Sequence, residues 1–544
     1  MSALAQATWR RFARRLVVAS AAVMVVLPGG AATAAPPQIS CDNRTNNSYQ
    51  KLLECVRVEG VREHQAALQA IADANGGTRA AATPGYDASV DYVVRTLEAA
   101  GWDVELDLFD FTVAEPIRRV LPSPATYDSG GITGSPLGTV TAAVVAIDIN
   151  LTPPRANTSG CDGAFTEAAV GAPLTAHPTG PNDFASFPAG AIALIQRGGC
   201  SFALKVANAQ AAGAAAVIIF NQGDTAARSV TLTGTAVPPA GSASSTVNVP
   251  VVGASFATGA ALAVAGTTAT VAVVNRPQAN VIAELPGDND ENVVMAGAHL
   301  DSVRAGPGIN DNGSGSAALL EIAQQLAKLK PENTLRFAWW GAEESGLVGS
   351  TAYVNGLSQA ERDRVALYLN FDMIGSPNYI FMVYDSDQSG FTAPVPVPAG
   401  SIAIEDLFES YYTLAGEPYD DAQFSGRSDY QAFILNGIPA GGLFTGAEVP
   451  KTAAQAAIWG GVAGAQYDPC YHLACDTFAN NNLHALEVNS DAIAFAILTY
   501  AYSTETVNGV VGEKVPGNFT IPAPAGPEGT VGSAAGGAHD AIGT

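Results

Sequence analysis

One imidazole and three carboxylic acids stand at the ends of apolar runs, and a second imidazole and a further acid lie in loops, where side chains of these types could hold a metal ion and move a proton. His299 ends the run 293–298 and is followed by Leu300 and Asp301. Asp311 lies in the glycine-rich segment 306–315, Gly-Pro-Gly-Ile-Asn-Asp-Asn-Gly-Ser-Gly. Glu343 and Glu344 follow the run 334–340, and Asp372 follows the run 366–371. Tyr471 and His472 lie between Cys470 and Cys475. Singly, each has an ordinary reading: Asp311 as a helix cap, the glutamates as solvated acids, His472 as a structural residue. Jointly they offer nitrogen and oxygen ligands without thiolates, a set that suits catalytic zinc with positions left for water. Of two adjacent carboxylates at a strand end, one can bind metal while its neighbour handles a proton.

Such residues need a scaffold that brings distant segments to one crevice. In open α/β sheets ligands bind at the carboxyl ends of strands, and the three runs before His299, Glu343 and Asp372 read as consecutive buried strands. After the glycine-rich segment, Leu319, Ile322, Ala323 and Leu326 recur at helical core spacing. Strand, loop and helix repeat from 277 to 502, which predicts an α/β fold with a mostly parallel, mixed sheet sandwiched by helices. Upstream, residues 48–75 and 86–100 carry helical spacing, Gly101 caps the second helix, and 104–113 alternates as a strand. Residues 120–275 differ in composition, being rich in Ala, Gly, Thr, Val and Pro. Within them 190–195 and 216–220 read as strands and 202–211 as a helix. From 506 the chain is poor in large apolar residues and is expected to be a flexible tail.

The ends and the charge set the compartment. Arg10, Arg11, Arg14 and Arg15 precede the apolar run 16–27 and then Ala-Thr-Ala-Ala at 32–35, the layout of a signal peptide over 1–35. The run is shorter than the roughly 20 residues that span a bilayer. A secreted, extracellular protein is therefore expected. Against 26 basic residues stand 50 acidic ones, a net charge of -24, which argues against nucleic-acid and anionic-membrane partners. Six cysteines in an exported chain suggest disulfides, the sequence-nearest pairs being Cys41 with Cys55, Cys161 with Cys200, and Cys470 with Cys475. Spacing alone leaves the connectivity open.

Two resemblances add to this reading. The segment 190–222, with Arg-Gly-Gly-Cys-Ser-Phe at 197–202, resembles the protease-associated domain, an insert common in secreted peptidases. The motifs His-Leu-Asp-Ser-Val, Gly-Ile-Asn-Asp-Asn-Gly-Ser-Gly, Trp-Trp-Gly-Ala-Glu-Glu, Asn-Phe-Asp-Met-Ile-Gly and Tyr-His resemble, in order, the secreted bacterial co-catalytic zinc aminopeptidases. That group is akin to glutamate carboxypeptidase and glutaminyl cyclase. The likeness covers 41–115 and 277–505 and implies peptidase parts at 36–119 and 276–505, a protease-associated insert at 120–275 and a tail at 506–544.

The resemblance implies two Zn2+ ions, one held by His299 and Asp372, the other by Glu344 and His472, with Asp311 bridging. It implies Glu343 as general base, Tyr471 as oxyanion donor, and a cis Asp311-Asn312 peptide. Asp301 then fits a carboxylate orienting the His299 imidazole. Arg427, Phe444 and Met373 fall in motifs lining the substrate pocket of similar enzymes, with large apolar N-terminal residues such as leucine preferred. Peptides are the expected substrates and a monomer the expected state. Ca2+, which some similar enzymes carry, is a further cation for so acidic a chain, although no EF-hand spacing is present. The rivals are a carboxypeptidase or dipeptidase of the same fold, and a receptor-like binding protein; a complete ligand set with Glu343 counts against the latter.

Overall fold

Short apolar runs rich in Val, Ile, Phe and Trp and bracketed by turn residues become the strands of this chain, because enclosure on both faces favours continuous apolar sequence. The computed structural model describes residues 41, 43–170, 180–226, 228–237 and 246–531. The chain divides into the units Met1–Arg44 and Thr45–Thr544. The expected leader at 1–35 lies outside the described residues, and the fold and site belong to the second unit.

The peptidase strands, numbered along the chain, are β1 (Asp103–Ala114), β2 (Thr268–Leu285), β3 (Asn289–His299), β4 (Asn333–Trp340), β5 (Val365–Phe371), β6 (Met382–Tyr384), β7 (Asp420–Ala422) and β8 (Ala440–Phe444). Their spatial order is β7-β6-β8-β5-β3-β4-β2-β1. The centre is parallel, β4 with β3, β3 with β5 and β5 with β8. Antiparallel partners lie to either side, β2 against β4 and β6 against β8. The sheet is therefore mixed with a parallel heart. Parallel pairing places the ends of β3, β4 and β5 on one rim: His299 is level with Trp340, and Gly297 with Asn370.

Adjacent tryptophans show how the sheet is enclosed. Trp339 donates its Nε1–H to the carbonyl of Ser316 on one face, while Trp340 meets Tyr353 and Phe433 on the other. Helices follow as α1 (Tyr49–Leu53), α2 (Val58–Ala74), α3 (Pro84–Ala100), α4 (Gly313–Leu326), α5 (Ser401–Ala415) and α6 (Leu483–Tyr502). The single helix expected over 48–75 is two, because Arg57 takes an extended conformation as the N-cap of α2. Leu52, Val56 and Val61 are buried across the break, so the apolar rhythm survives it. Gly101 caps α3 in the left-handed region.

The insert is joined to the peptidase by hydrogen bonds, not only by chain. β2 is long enough to serve both: residues 273–284 pair with β1, while 268–273 pair with the insert strand Gly138–Ile147. Beyond it run Ile192–Gln196, Ala216–Phe220 and Val251–Ala254 in parallel, with the helix Phe202–Ala211 between two of them.

The tail corrects an expectation. Residues 506–531 contact the peptidase: the Phe519 ring lies 4.8 Å from that of Tyr49, Gly526 N donates to Tyr419 Oη at 2.7 Å, and Thr530 and Val531 donate backbone N–H to Asp420 Oδ2. Composition counts few apolar residues here, but Val515, Phe519, Ile521 and Val531 each find a receiving surface. Residues 532–544 lie outside the described residues. Among the described residues no helix is long and apolar enough to cross a membrane.

Candidate metal centre

Each site residue is set by a local feature of the sequence. His299 is the last residue of β3. After β4, Ala342 enters the left-handed region at φ 56° and turns the chain into the short 3-10 helix Glu343–Ser345, so the two glutamates leave the strand end in different directions. After β5, Asp372 precedes Met373, which is also left-handed at φ 51°.

The loop between β3 and α4 carries Asp311, which the ordinary reading would make a cap. Asn312 takes that role instead: its side chain accepts from Gly315 N at 3.0 Å and donates to Phe371 O at 2.8 Å. Both carboxylate oxygens of Asp311 are thereby left for another use. The 311-312 peptide is cis. Asp476 accepts the backbone N–H groups of Asn310 and Asp311 at 2.8 and 3.0 Å. Arg79, fully buried, donates to the carbonyls of Leu300, Pro307 and Gly308. Burial pulls its guanidinium down to about 10, against the pull of Asp301, Asp476, Asp311 and Glu344.

These supports converge the ligands. His299 Nε2 lies 3.2 Å from Asp311 Oδ1 and 3.3 Å from Asp372 Oδ1. His472 Nε2 lies 3.3 Å from Asp311 Oδ2 and 3.0 Å from Glu344 Oε2. A tetrahedral zinc with bonds of 2.0–2.1 Å separates neighbouring ligand atoms by about 3.3 Å, which is the spacing found. Asp311 thus turns one oxygen toward each histidine. Asp311 Oδ2, Glu344 Oε1 and Asp372 Oδ1 are enclosed and receive no hydrogen bond; for Asp311 Oδ2 and Asp372 Oδ1 the short approach to a histidine nitrogen therefore lacks hydrogen-bond geometry. Buried carboxylate oxygens without donors are costly unless a cation meets them. The donor set, two groups that have Asp311 in common, fits zinc.

Electrostatics agree in sign. Burial would lower His299, but Glu343 and Asp372 outweigh it and hold it well above the usual range. His472, likewise opposed by burial, is pushed up to about 11 by Glu344 and Asp311. Burial raises Asp311, yet the two imidazoles bring it below the ordinary carboxylate range. Burial, with neighbouring carboxylates adding to it, pushes Glu343 well up.

Asp301 differs in detail from expectation. His299 Nδ1 meets the backbone carbonyl of Asp301 at 3.1 Å, while the carboxylate lies 3.7 Å away and accepts from Glu343 N at 3.1 Å. The imidazole is oriented by main chain, because a residue two positions on folds its own carbonyl back within reach. Tyr471 stacks on His472 with centroids 3.8 Å apart, and burial first, then Asp311 and Glu344, keep its phenol protonated. Arg427 is not free for substrate: it donates to Glu448 at 2.8 Å and to Tyr471 Oη at 3.1 Å. Phe444 is half-buried at the end of β8. Met373 is 3% exposed, its backbone held by Asn312 and Thr445.

Cys470 is bonded to Cys475, closing the Tyr471-His472 loop, and Cys161 to Cys200; Cys41 and Cys55 are disulfide-bonded as well. Sequence reasoning missed Ser428, whose hydroxyl donates to Asp372 Oδ2 at 2.6 Å and leaves Oδ1 facing His299. Asn370 donates to Ser428 and accepts from Tyr368, which accepts from Trp340. Asn370 opens the Asn-Phe-Asp-Met-Ile-Gly motif two residues before Asp372, and Ser428 directly follows Arg427, but nothing in their types announces the contact.

A crevice of this kind at the carboxyl ends of parallel strands defines a zinc exopeptidase type of site. The chain belongs to peptidase family M28, whose model matches residues 280–497, and a protease-associated (PA) domain matches 140–262. It is 46% identical over 475 residues to an aminopeptidase of Pseudomonas aeruginosa, covering 84% of this chain and 83% of that one. It is 43% identical over 467 residues to a probable lipoprotein aminopeptidase, LpqL, of Mycobacterium tuberculosis, covering 84% and 87%. Probable leucine aminopeptidase 2 of Aspergillus fumigatus shares 41% over 435 residues, 78% of this chain and 79% of that one. Among solved structures, an aminopeptidase from Aneurinibacillus sp. strain AM-1 aligns with TM-score 0.51 at 27% identity, covering 88% and 100% of the two chains. A zinc aminopeptidase of Bacillus subtilis shares the fold at TM-score 0.58 and 23% identity, covering 85% and 99%.

Proposed function

We propose that this zinc aminopeptidase works with two metal ions and releases large apolar residues, such as leucine, from the N-termini of peptides outside the cell. The aminopeptidase name is common to the relatives reported above, and the Bacillus subtilis structure is that of a zinc aminopeptidase. The pair of ions rests on one observation: the two oxygens of Asp311 face His299 and His472 at 3.2 and 3.3 Å. His299 and Asp372 would hold one ion, Glu344 and His472 the other. The apolar preference draws on the leucine aminopeptidase names of fungal relatives and on Phe444 at the rim. The disulfides favour an oxidising compartment. Monomeric action is part of the same proposal.

Zinc bound here would lower the pKa of a coordinated water toward ~7 and polarise the scissile carbonyl. Glu343, its Oε2 3.9 Å from His299 Nε2, accepts the water's proton and returns it to the departing amine. Tyr471, kept protonated and aligned by Arg427, donates to the oxygen on which charge develops. Asp301 holds the Glu343 backbone beside His299, so base and ligand keep one geometry.

The test pairs metal analysis with free and N-acetylated leucyl peptides. Two zinc ions per chain and cleavage of the free peptide alone are expected. Cleavage of the acetylated peptide would sink the aminopeptidase reading, and full activity with a single zinc would sink the paired-ion reading.

A further inference from the structure

A second group of acids, none of them a member of the metal centre described above, is enclosed together. Glu405 and Glu409 lie one turn apart on α5, and Asp421 lies at the centre of β7. One carboxylate oxygen of each lies within 4.8 Å of the others, and all three side chains are buried. Asp385 and Asp387, in the loop after β6, form an overlapping group with Glu405. Asp421 is 4% exposed; its Oδ2 receives the Ser389 hydroxyl at 3.4 Å, whereas its enclosed Oδ1 receives nothing.

Glu405 Oε2 receives the backbone N–H groups of Ser386 and Asp387 at 2.9 and 3.0 Å, but the charges that face these acids are those of other acids. Burial raises Glu405 to about 8 with Asp387 and Glu409 adding to it, and raises Glu409 and Asp421 to about 7 with Asp385, Asp387, Asp406 and Asp420 contributing. Like charges one turn apart on a helix repel, and burial magnifies the effect. An unpartnered buried carboxylate oxygen aimed among other carboxylates is accounted for by a cation.

We propose that Glu405, Glu409 and Asp421, rimmed by Asp385 and Asp387, form a binding site for a calcium ion that ties α5 to the edge strand β7 and its neighbour β6. The donors are all oxygen, with no imidazole or thiolate, which selects a hard cation over zinc. Calcium takes oxygens at 2.3–2.6 Å, so ligands on opposite sides of the ion stand about 5 Å apart, and a cluster within 4.8 Å matches that span. Magnesium is smaller and demands near-ideal octahedral geometry, which two overlapping carboxylate groups do not offer.

The test uses the full chain with its zinc retained, dialysed against EGTA and titrated with CaCl2 or MgCl2. Calorimetry should show one calcium bound per chain, and saturating calcium should raise Tm by about 3 °C or more. Asp421→Asn and Glu409→Gln should each weaken calcium binding at least about tenfold, leave the zinc content unchanged, and melt in EGTA no lower than wild type, because repulsion is relieved. Absence of calcium binding to wild type at about 1 mM overturns the site, as does wild-type affinity in both variants. Equal affinity for magnesium overturns the assignment to calcium. The wild-type titration alone decides the matter if a variant fails to fold.

Discussion

A carboxylate that caps a helix has given up an oxygen, and the bridging role proposed for Asp311 can spare neither. Asn312 resolves this for Asp311 by capping α4 itself, so one position separates a structural residue from a chemical one. Ser428 does the same for Asp372 by accounting for Oδ2 alone. Glu343 stands apart from the ligand pairs yet within 3.9 Å of His299 Nε2, as the role of general base proposed for it requires. Glu343→Ala should therefore keep its zinc and lose roughly a thousandfold in kcat on leucyl p-nitroanilide. Zinc content by mass spectrometry and kcat by absorbance check this; kcat within about tenfold of wild type would remove Glu343 from the role.

Loops and strand ends decide whether those residues meet. The segment carrying Tyr471 and His472 reaches the β3-α4 loop at Gly306, where a Cβ would collide with the Leu473 carbonyl oxygen and the Leu473-Ala474 backbone. Because backbone on both sides has little room to yield, Gly306→Ala should push His472 away from Asp311. Zinc affinity, read by competition with a chromogenic chelator, should fall about 10- to 100-fold while the circular dichroism spectrum is retained. Unchanged affinity would show that the two loops adjust independently. The strands that end at His299, Trp340 and Phe371 were legible in sequence because enclosed strands are continuous apolar runs, whereas β6 and β7, three residues each, are too short to show a period. The break before α2 and the seated tail were not legible either, since a change of backbone angle at Arg57 and a receiving surface for Phe519 leave no periodic signal.

At the scale of the molecule, one sheet runs through peptidase and insert by way of β2, and many acids are held inside it. Glu405 at about 8, and Glu409, Asp421, Asp429, Asp476 and Asp491 at about 7, are all raised mainly by burial. A carboxyl whose folded pKa lies above its unfolded value stabilises the fold while protonated and loses that contribution as pH rises toward the folded value. Asp311, shifted the other way, is already ionised above pH ~4 and adds no slope there. His64, lowered to about 4 by burial, opposes the trend and is outnumbered. The chelated, metal-free chain should consequently melt lower at about pH 7 than at about pH 5. Differential scanning calorimetry in chelator measures this, and a Tm that rises over that interval would contradict the assigned directions.

The sequence by itself determined the mixed α/β class, the strands that end at His299, Trp340 and Phe371, and the presence of a protease-associated segment, because burial periodicity and residue chemistry are local properties. It did not determine that Arg427 would hold Tyr471 and Glu448, that a backbone carbonyl would orient His299, or that acids on α5 and β7 would share one enclosure. Those are contacts between segments far apart along the chain, and only the folded sheet brings them to within hydrogen-bonding or ligand distance.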